Sequence, residues 1–146
     1  MLNKKLILWN GFCPTHMKML PEYAALQKEI HPNAVFLVHP ECCPETVALA
    51  DEVLSTTGIL NYVAKSDKEE FIIGTENEIT VKLQKEYPNK KFYPVTDLAV
   101  CPNMKKNTLD KVLNVLKEMN NEIKVPKEIA DKAIVPIQRM LEVKPS

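Results

Sequence analysis

The stretch Ala34-Val-Phe-Leu-Val-His-Pro-Glu41 places a short apolar run directly before two ionisable side chains. Its first five residues are apolar without alternation, which is typical of a strand buried on both faces of a parallel sheet. His39 and Glu41 follow that strand, and Pro40 stiffens the chain between them. In open α/β sheets, ligands bind beyond the carboxyl ends of the strands. The stretch therefore predicts a buried strand that delivers an imidazole and a carboxylate, a pair suited to proton transfer near neutral pH or to recognition of carboxylates and hydroxyls.

Similar apolar or aromatic runs occur at residues 5–9, 70–74 and 91–95. Amphipathic segments of helical period separate them, such as the one with Leu20, Tyr23, Leu26 and Ile30 on one face. Strands that alternate with helices form βαβ units with parallel pairing. The sequence therefore predicts an α/β fold.

Composition excludes several classes of function. The 146 residues carry 19 basic and 19 acidic side chains, so no net charge attracts nucleic acid or a membrane surface. Arg139 is the single arginine, which weakens phosphate-backbone binding further. Three glycines are too few and too scattered for a P-loop or a dinucleotide-binding loop.

The chain has no secretory core near its start and no window of about 18 apolar residues. We therefore expect a cytoplasmic protein. In that compartment the four cysteines read as reduced thiols, which favours metal or redox chemistry over a disulfide framework. A bond between the neighbours Cys42 and Cys43 would be strained.

A Cys-Pro step recurs after the apolar runs, as Cys13-Pro14 after the first and Cys101-Pro102 after the fourth. If both loops lie beyond carboxyl ends of strands, the two thiols face a shared site. An iron–sulfur cluster can be held by thiolates from distant loops. Free cysteine is also among the residues most often buried as packing, so both interpretations stay open. His16 lies three residues after Cys13, where an exposed or satisfied imidazole is the commoner outcome.

Two further turns precede helical segments. Ser55-Thr56-Thr57-Gly58 is either a helix N-cap or an anion site. Gly74-Thr75-Glu76 follows the third run, and there capping is favoured over ligand contact.

Taken in order, these motifs resemble the quinolinate synthase family. The resemblance runs from Lys4 to Leu141 and corresponds to the carboxyl-terminal part of that enzyme, whose first domain has no counterpart here. Its motifs are Trp9-Asn-Gly-Phe-Cys13-Pro-Thr-His16, His39-Pro-Glu-Cys42, Ala50-Asp51, Ser55-Thr56, Gly74-Thr75-Glu76, Cys101-Pro-Asn-Met-Lys105, Thr108-Leu109 and Arg139-Met140-Leu141.

The resemblance implies two similar three-layer α/β/α units with short parallel sheets. Residues 1–56 would form the first unit, with Cys13 and His39-Pro40-Glu41, and residues 57–146 the second, with Cys101 and the last helix. It also implies a [4Fe–4S] cluster that acts as a Lewis acid. Cys13 and Cys101 would be two of its ligands, and the third cysteine is not in this chain.

The substrates that the resemblance implies are iminosuccinate and dihydroxyacetone phosphate, which the enzyme condenses to quinolinate for NAD synthesis. His39 and Glu41 would be the acid–base pair. The residues that would contact substrate are His39, Pro40, Glu41, Thr56, His16 and Met104. Leu54 and Glu78 stand where the family usually has glycine.

Because the first domain is missing from the resemblance, we expect the chain to be inactive or nearly so without a complementary chain. The alternative is a non-catalytic α/β module that binds metal or acts as a thiol-based binder.

Overall fold

The computed structural model of the chain describes residues 5, 7 and 9–143. It has two compact units, Met1–Pro102 and Asn103–Ser146. Among the described residues, no helix has both the length and the apolar character that a membrane span requires.

The first unit contains a parallel sheet, which confirms the α/β class. Within the described residues it has four strands in the order β2-β1-β3-β4, and every neighbouring pair is parallel. Their bounds are Val35–Val38 for β1, Glu52–Val53 for β2, Glu70–Gly74 for β3 and Lys91–Pro94 for β4. Val38 is opposite both Val53 and Gly74, so the carboxyl ends of the three strands on this side lie level with one another.

Helices connect the strands of the first unit and make up the described second unit. The α-helices are α1 (Pro21–Ile30), α2 (Pro44–Val47), α3 (Thr56–Lys65), α4 (Glu78–Glu86), α5 (Leu109–Glu118) and α6 (Lys127–Glu142). Short 3₁₀ turns span His16–Lys18 and Met104–Lys106. Proline begins α1 and α2, where its missing N–H leaves no helical bond unmade.

The core covers both faces of the sheet because successive strand residues point to opposite sides. Phe36, Val38 and Ile72 belong to a cluster that includes Ala24 of α1. Leu37, Phe71 and Ile73 belong to a second cluster, with Ile59 and Val63 of α3 and Leu83 of α4. Each fully buried side chain of this size contributes about 1.5–3 kcal/mol. The first unit is thus a helix–sheet–helix sandwich.

The structure differs from the sequence-based expectation in where it divides. The described residues form one sheet where two were expected, because β1 pairs with β2 on one side and with β3 on the other. The expected boundary at residues 56 and 57 falls within this unit, and the division lies after Pro102 instead. Residues 103–143 contain helices and no strand. The strand predicted at residues 5–9 lies partly outside the described residues, and Ile7 and Trp9, which are described, are exposed and in no strand.

Candidate functional site

Four candidate residues of the first unit, Cys13, His16, His39 and Glu41, lie close together at the carboxyl edge of the sheet. The ladder extends one residue past β1, β2 and β4, through N–H groups of His39, Leu54 and Val95 that donate to the carbonyls of Gly74, Val38 and Ile73 at 2.9, 2.9 and 3.2 Å. These bonds fix the start of each loop, so the side chains that follow emerge from a rigid frame.

His16 is the centre of this edge. Its side chain is almost fully buried, and Nε2 forms a 3.1 Å hydrogen bond with Oγ1 of Thr75, the residue after β3. Nδ1 is buried and lies 3.1 Å from Oε2 of Glu41, and it has no hydrogen-bond partner of standard geometry within the described residues. The His39 ring stacks on His16 with centroids 4.5 Å apart. Two imidazoles and a carboxylate therefore meet at the ends of β1 and β3.

The burial of His16 has an electrostatic consequence. Desolvation, and then the neighbouring His39, lower its pKa below the ordinary value of 6.5, against the opposing effect of Glu41. The neutral ring is therefore favoured near pH 7, and a neutral imidazole keeps a lone pair for a metal ion or a proton.

Cys13 joins His16 and Glu41 in a group that could hold a metal ion. One potential ligand atom from each residue lies within 4.8 Å of the others. Cys13 and Glu41 also line a cavity of about 590 Å³ bounded by residues 11–13, 17 and 40–44. Sulfur, nitrogen and oxygen donors together suit a transition metal better than magnesium or calcium.

Cys101 is half-buried in the loop after β4 and is not a member of that group of described residues. Its backbone N–H donates to Oε1 of Glu76 at 3.2 Å. Glu76 is buried, and its Oε2 accepts from the N–H of Glu78 at 2.9 Å. The assignment of Cys13 and Cys101 to one cluster stays a prediction.

Thr56 and Met104 are both exposed. Ser55 is the N-cap of α3, since its Oγ accepts from the N–H of Gly58 at 3.1 Å, and Thr56 is the first helical residue. Thr56 therefore lies three residues after the end of β2, at the same carboxyl edge of the sheet as His39. Met104 lies in the 3₁₀ turn of the second unit.

Cys42 and Cys43 are buried beside the cavity. The Cys42 thiol donates to the carbonyl of Gly74 at 3.5 Å, and Cys43 pairs with Oγ1 of Thr46 at 3.1 Å. Burial first, and the adjacent Cys43 second, raise the pKa of Cys42 to about 12. Cys42 therefore stays a neutral thiol, consistent with packing rather than ligation.

Sequence reasoning assigned Thr75 and Glu76 chiefly to helix capping, whereas the structure gives each a contact with a different loop. Thr75 bonds His16, and Glu76 bonds the Cys101 backbone. The signal for this was present in the sequence, because polar residues directly after a continuous apolar run lie at the carboxyl edge of the sheet.

The chain is similar in sequence to quinolinate synthases. The family model for quinolinate synthetase A protein matches residues 1–142. A quinolinate synthase of Thermodesulfovibrio yellowstonii is 48% identical over 138 residues, which cover 94% of this chain and 46% of that protein. Quinolinate synthase 2 of Methanosarcina acetivorans is 48% identical over 97% of this chain and 46% of its own length. A Methanoregula boonei quinolinate synthase is 49% identical over 94% of this chain and 46% of its own length. The chain spans about half the length of these curated relatives.

Proposed function

Because this chain belongs to the quinolinate synthase family, we propose that it carries cluster-binding and substrate-binding residues of a quinolinate synthase. The reaction would condense iminosuccinate with dihydroxyacetone phosphate to quinolinate, for NAD biosynthesis. The observation that supports this most directly is the group formed by Cys13, His16 and Glu41, whose potential ligand atoms lie within 4.8 Å. Since the chain spans about half of its relatives' length, activity would need the residues that correspond to their other half.

The Cys13 thiol is the member of this group that suits an iron–sulfur cluster, whose usual protein ligands are cysteine thiolates. Cys13 presents a thiol beside a cavity, and the buried Nδ1 of His16, which has no hydrogen-bond partner among the described residues, faces the same group. Cys13 and Cys101 would hold the cluster with a third cysteine from outside the chain. When bound, the cluster would supply a Lewis acid that polarises a substrate oxygen.

His39 and Glu41 would move the protons of the reaction. Nδ1 of His39 accepts from the N–H of Glu41 at 3.3 Å, which leaves Nε2 as the atom that would exchange a proton with a substrate. The exposed Glu41 carboxylate is available as the base. Imine formation, dehydration and ring closure each need such transfers.

The remaining candidates would bind substrate. Thr56 presents a hydroxyl at the start of α3, where backbone N–H groups favour a carboxylate or a phosphate. Pro40 and His16 would contact the substrate from the loops beside β1 and α1, and Met104 stays a predicted substrate contact. This arrangement needs no arginine to hold the anionic ends.

Anaerobic reconstitution tests the proposal. The 146-residue polypeptide is incubated with ferrous iron, sulfide and thiol, and is then supplied with both substrates, alone or with the separately expressed other half of a relative. We expect bound iron and visible absorbance that Cys13→Ala and Cys101→Ala each reduce, and quinolinate only in the mixture. Quinolinate formation by a mixture that contains the Cys13→Ala, Cys101→Ala double variant would overturn the proposal.

A metal-binding module without catalysis is the second candidate, because Cys13, His16 and Glu41 need no residue from outside the chain to form their group. Cobalt(II) distinguishes the two functions. A module would bind one cobalt with a thiolate charge-transfer band that Cys13→Ala abolishes and Cys101→Ala leaves intact, and its mixture with the other half would form no quinolinate.

A further inference from the structure

Three consecutive residues after β3 connect the loops at the carboxyl edge. Thr75 contacts His16 through its hydroxyl. Glu76 accepts from the backbone of Cys101. Asn77 donates from its own N–H to the carbonyl of Ala99 at 3.0 Å, and from Nδ2 to the carbonyl of Thr96 at 3.1 Å. The residues 75–77, which we call the β3 clamp, therefore bond both the loop that precedes α1 and the loop that ends at Cys101.

Glu76 is the member of the β3 clamp whose burial costs the most free energy. A buried carboxylate is costly unless hydrogen bonds satisfy its oxygens. Glu76 is 5% exposed, and each of its oxygens accepts a backbone N–H. The bond from Glu78 is local and would serve any helix start. The bond from Cys101 joins positions 25 residues apart, which helix capping does not require.

We propose that Glu76 is a positioning residue that holds the Cys101 loop at the carboxyl edge of β3. Thr75 fixes His16 one residue earlier on the same strand end, so the β3 clamp sets the position of the Cys101 backbone relative to His16. Any effect of Glu76 on iron retention rests on the proposed function. The hydrogen bond between Glu76 and Cys101, and its effect on the position of the Cys101 loop, are independent of that function.

The test measures the accessibility of the Cys101 thiol and the amide exchange of the Cys101 loop in the chain without bound metal. Glu76→Met keeps the length and the volume of a buried side chain but removes both acceptor oxygens, whereas Glu76→Gln keeps one. Glu22→Met is the matched control, because Glu22 is an exposed carboxylate in the first turn of α1. The first measurement is the rate at which N-ethylmaleimide labels Cys101 and Cys13, followed by mass spectrometry. The second is amide exchange at Cys101, with buried Ile72 and Leu83 as reporters of the core.

In Glu76→Met we expect Cys101 labelling and Cys101 amide exchange to rise about 10-fold or more, the factor that follows from loss of a hydrogen bond to a charged group. Cys13 labelling and exchange at Ile72 should change less than about 2-fold, and Glu76→Gln should fall between the wild type and Glu76→Met. Wild-type rates at Cys101 in Glu76→Met would overturn the proposal. So would an equal rise at Ile72 and Leu83 in both Glu76 variants, since the effect would then be general destabilisation.

Iron uptake separates this inference from the proposed function. After anaerobic reconstitution we expect Glu76→Met to retain less iron than the wild type, with part of the loss restored in Glu76→Gln. If the wild type holds no iron while Glu76→Met still accelerates labelling of Cys101, the positioning role stands and the cluster assignment fails. Unchanged labelling rejects the positioning role whatever the iron content.

Discussion

The two units of the chain carry equally clear apolar patterns, yet only the first buries them. In the first unit, β1 and β3 are enclosed on both faces by clusters that include α1, α3 and α4. In the second unit, none of the described residues is buried, although α5 and α6 both have an apolar stripe. A strand within a parallel sheet carries its covering helices through the crossover connections. The sequence of an amphipathic helix specifies no neighbouring element that packs on it. Its apolar pattern therefore predicts which face of the helix is to be buried, but not which element buries that face.

The sharpest consequence concerns truncations in the two units. Phe36 in β1 is fully buried, and Phe36→Ala removes a ring from a packed core, so we expect a loss of about 3–5 kcal/mol in the free energy of unfolding. Leu109 at the start of α5 is 88% exposed, and Leu109→Ala should change that free energy by no more than about 0.5 kcal/mol. Urea denaturation of both variants measures the difference. Similar losses in the two variants would mean that α5 is covered in solution.

A second consequence concerns the close approach of β1 and β3. A Cβ added at Gly74 would lie 2.8 Å from Cγ2 and 3.2 Å from Cα of Val38. Because a backbone atom cannot give way, Gly74→Ala should cost about 1–3 kcal/mol in urea denaturation. The same substitution should speed amide exchange at His39, whose N–H donates to the Gly74 carbonyl.

Gly58→Ala is the control for Gly74→Ala. Its Cβ would lie 3.1 Å from Cβ of Leu54 and 3.3 Å from Oγ of Ser55, within the first turn of α3. That crowding is offset by the gain of about 0.5–1 kcal/mol when alanine replaces glycine in a helix. We expect little net change, and a loss as large as that of Gly74→Ala would argue against backbone crowding as the cause.

The helix caps offer a matched pair across the two units. Ser55 caps α3 by accepting from Gly58, and Thr108 caps α5 by accepting from Lys111. Replacement of either by alanine removes about 1 kcal/mol of helix stability. In Ser55→Ala this should appear in global urea unfolding, because α3 is part of the core. In Thr108→Ala it should appear only as faster amide exchange in the first turn of α5. A global loss in Thr108→Ala would show that the two units unfold together.

Much of the fold was accessible from the sequence because its signals are local. The continuous apolar runs at 34–38, 70–74 and 91–95 became β1, β3 and β4. β2 was not predicted, since Glu52 and Val53 are exposed and carry no apolar run. The predicted boundary between residues 56 and 57 lies inside the compact unit that ends at Pro102. The extent of that unit depends on which strands pair, and neither apolar run indicates that β1 pairs with β3.

The candidate site was predicted in part. His39 and Glu41 were found because they follow a strong strand directly, and the structure brings both to His16. The contact between His16 and Thr75 joins residues 59 positions apart, and no pattern of local sequence spacing predicts a contact over that separation. The roles of these side chains stay predictions, and the Cys13→Ala and Cys101→Ala variants test the shared role of the two cysteines.

The smallest expected effect concerns exposed ion pairs on the two units. Nζ of Lys91 lies 2.8 Å from Oε1 of Glu70 across β3 and β4. The hydrogen bond from Lys91 lowers the pKa of Glu70 below its ordinary value of 4.5, and the same bond raises the pKa of Lys91 above 10.5. The contribution of Glu70 to stability is therefore present above pH 4.5 and is lost as the pH falls through the lowered pKa. The contribution of Lys91 to stability is present below pH 10.5 and is lost as the pH rises through the raised pKa. Glu70→Gln should flatten the acid limb of a plot of unfolding free energy against pH. Asp131→Asn, which breaks the exposed pair of Lys127 and Asp131 in α6, should change the free energy of unfolding at neutral pH by no more than about 0.5 kcal/mol. An acid limb equally steep in Glu70→Gln and the wild type would contradict any contribution of this pair to the stability of the sheet.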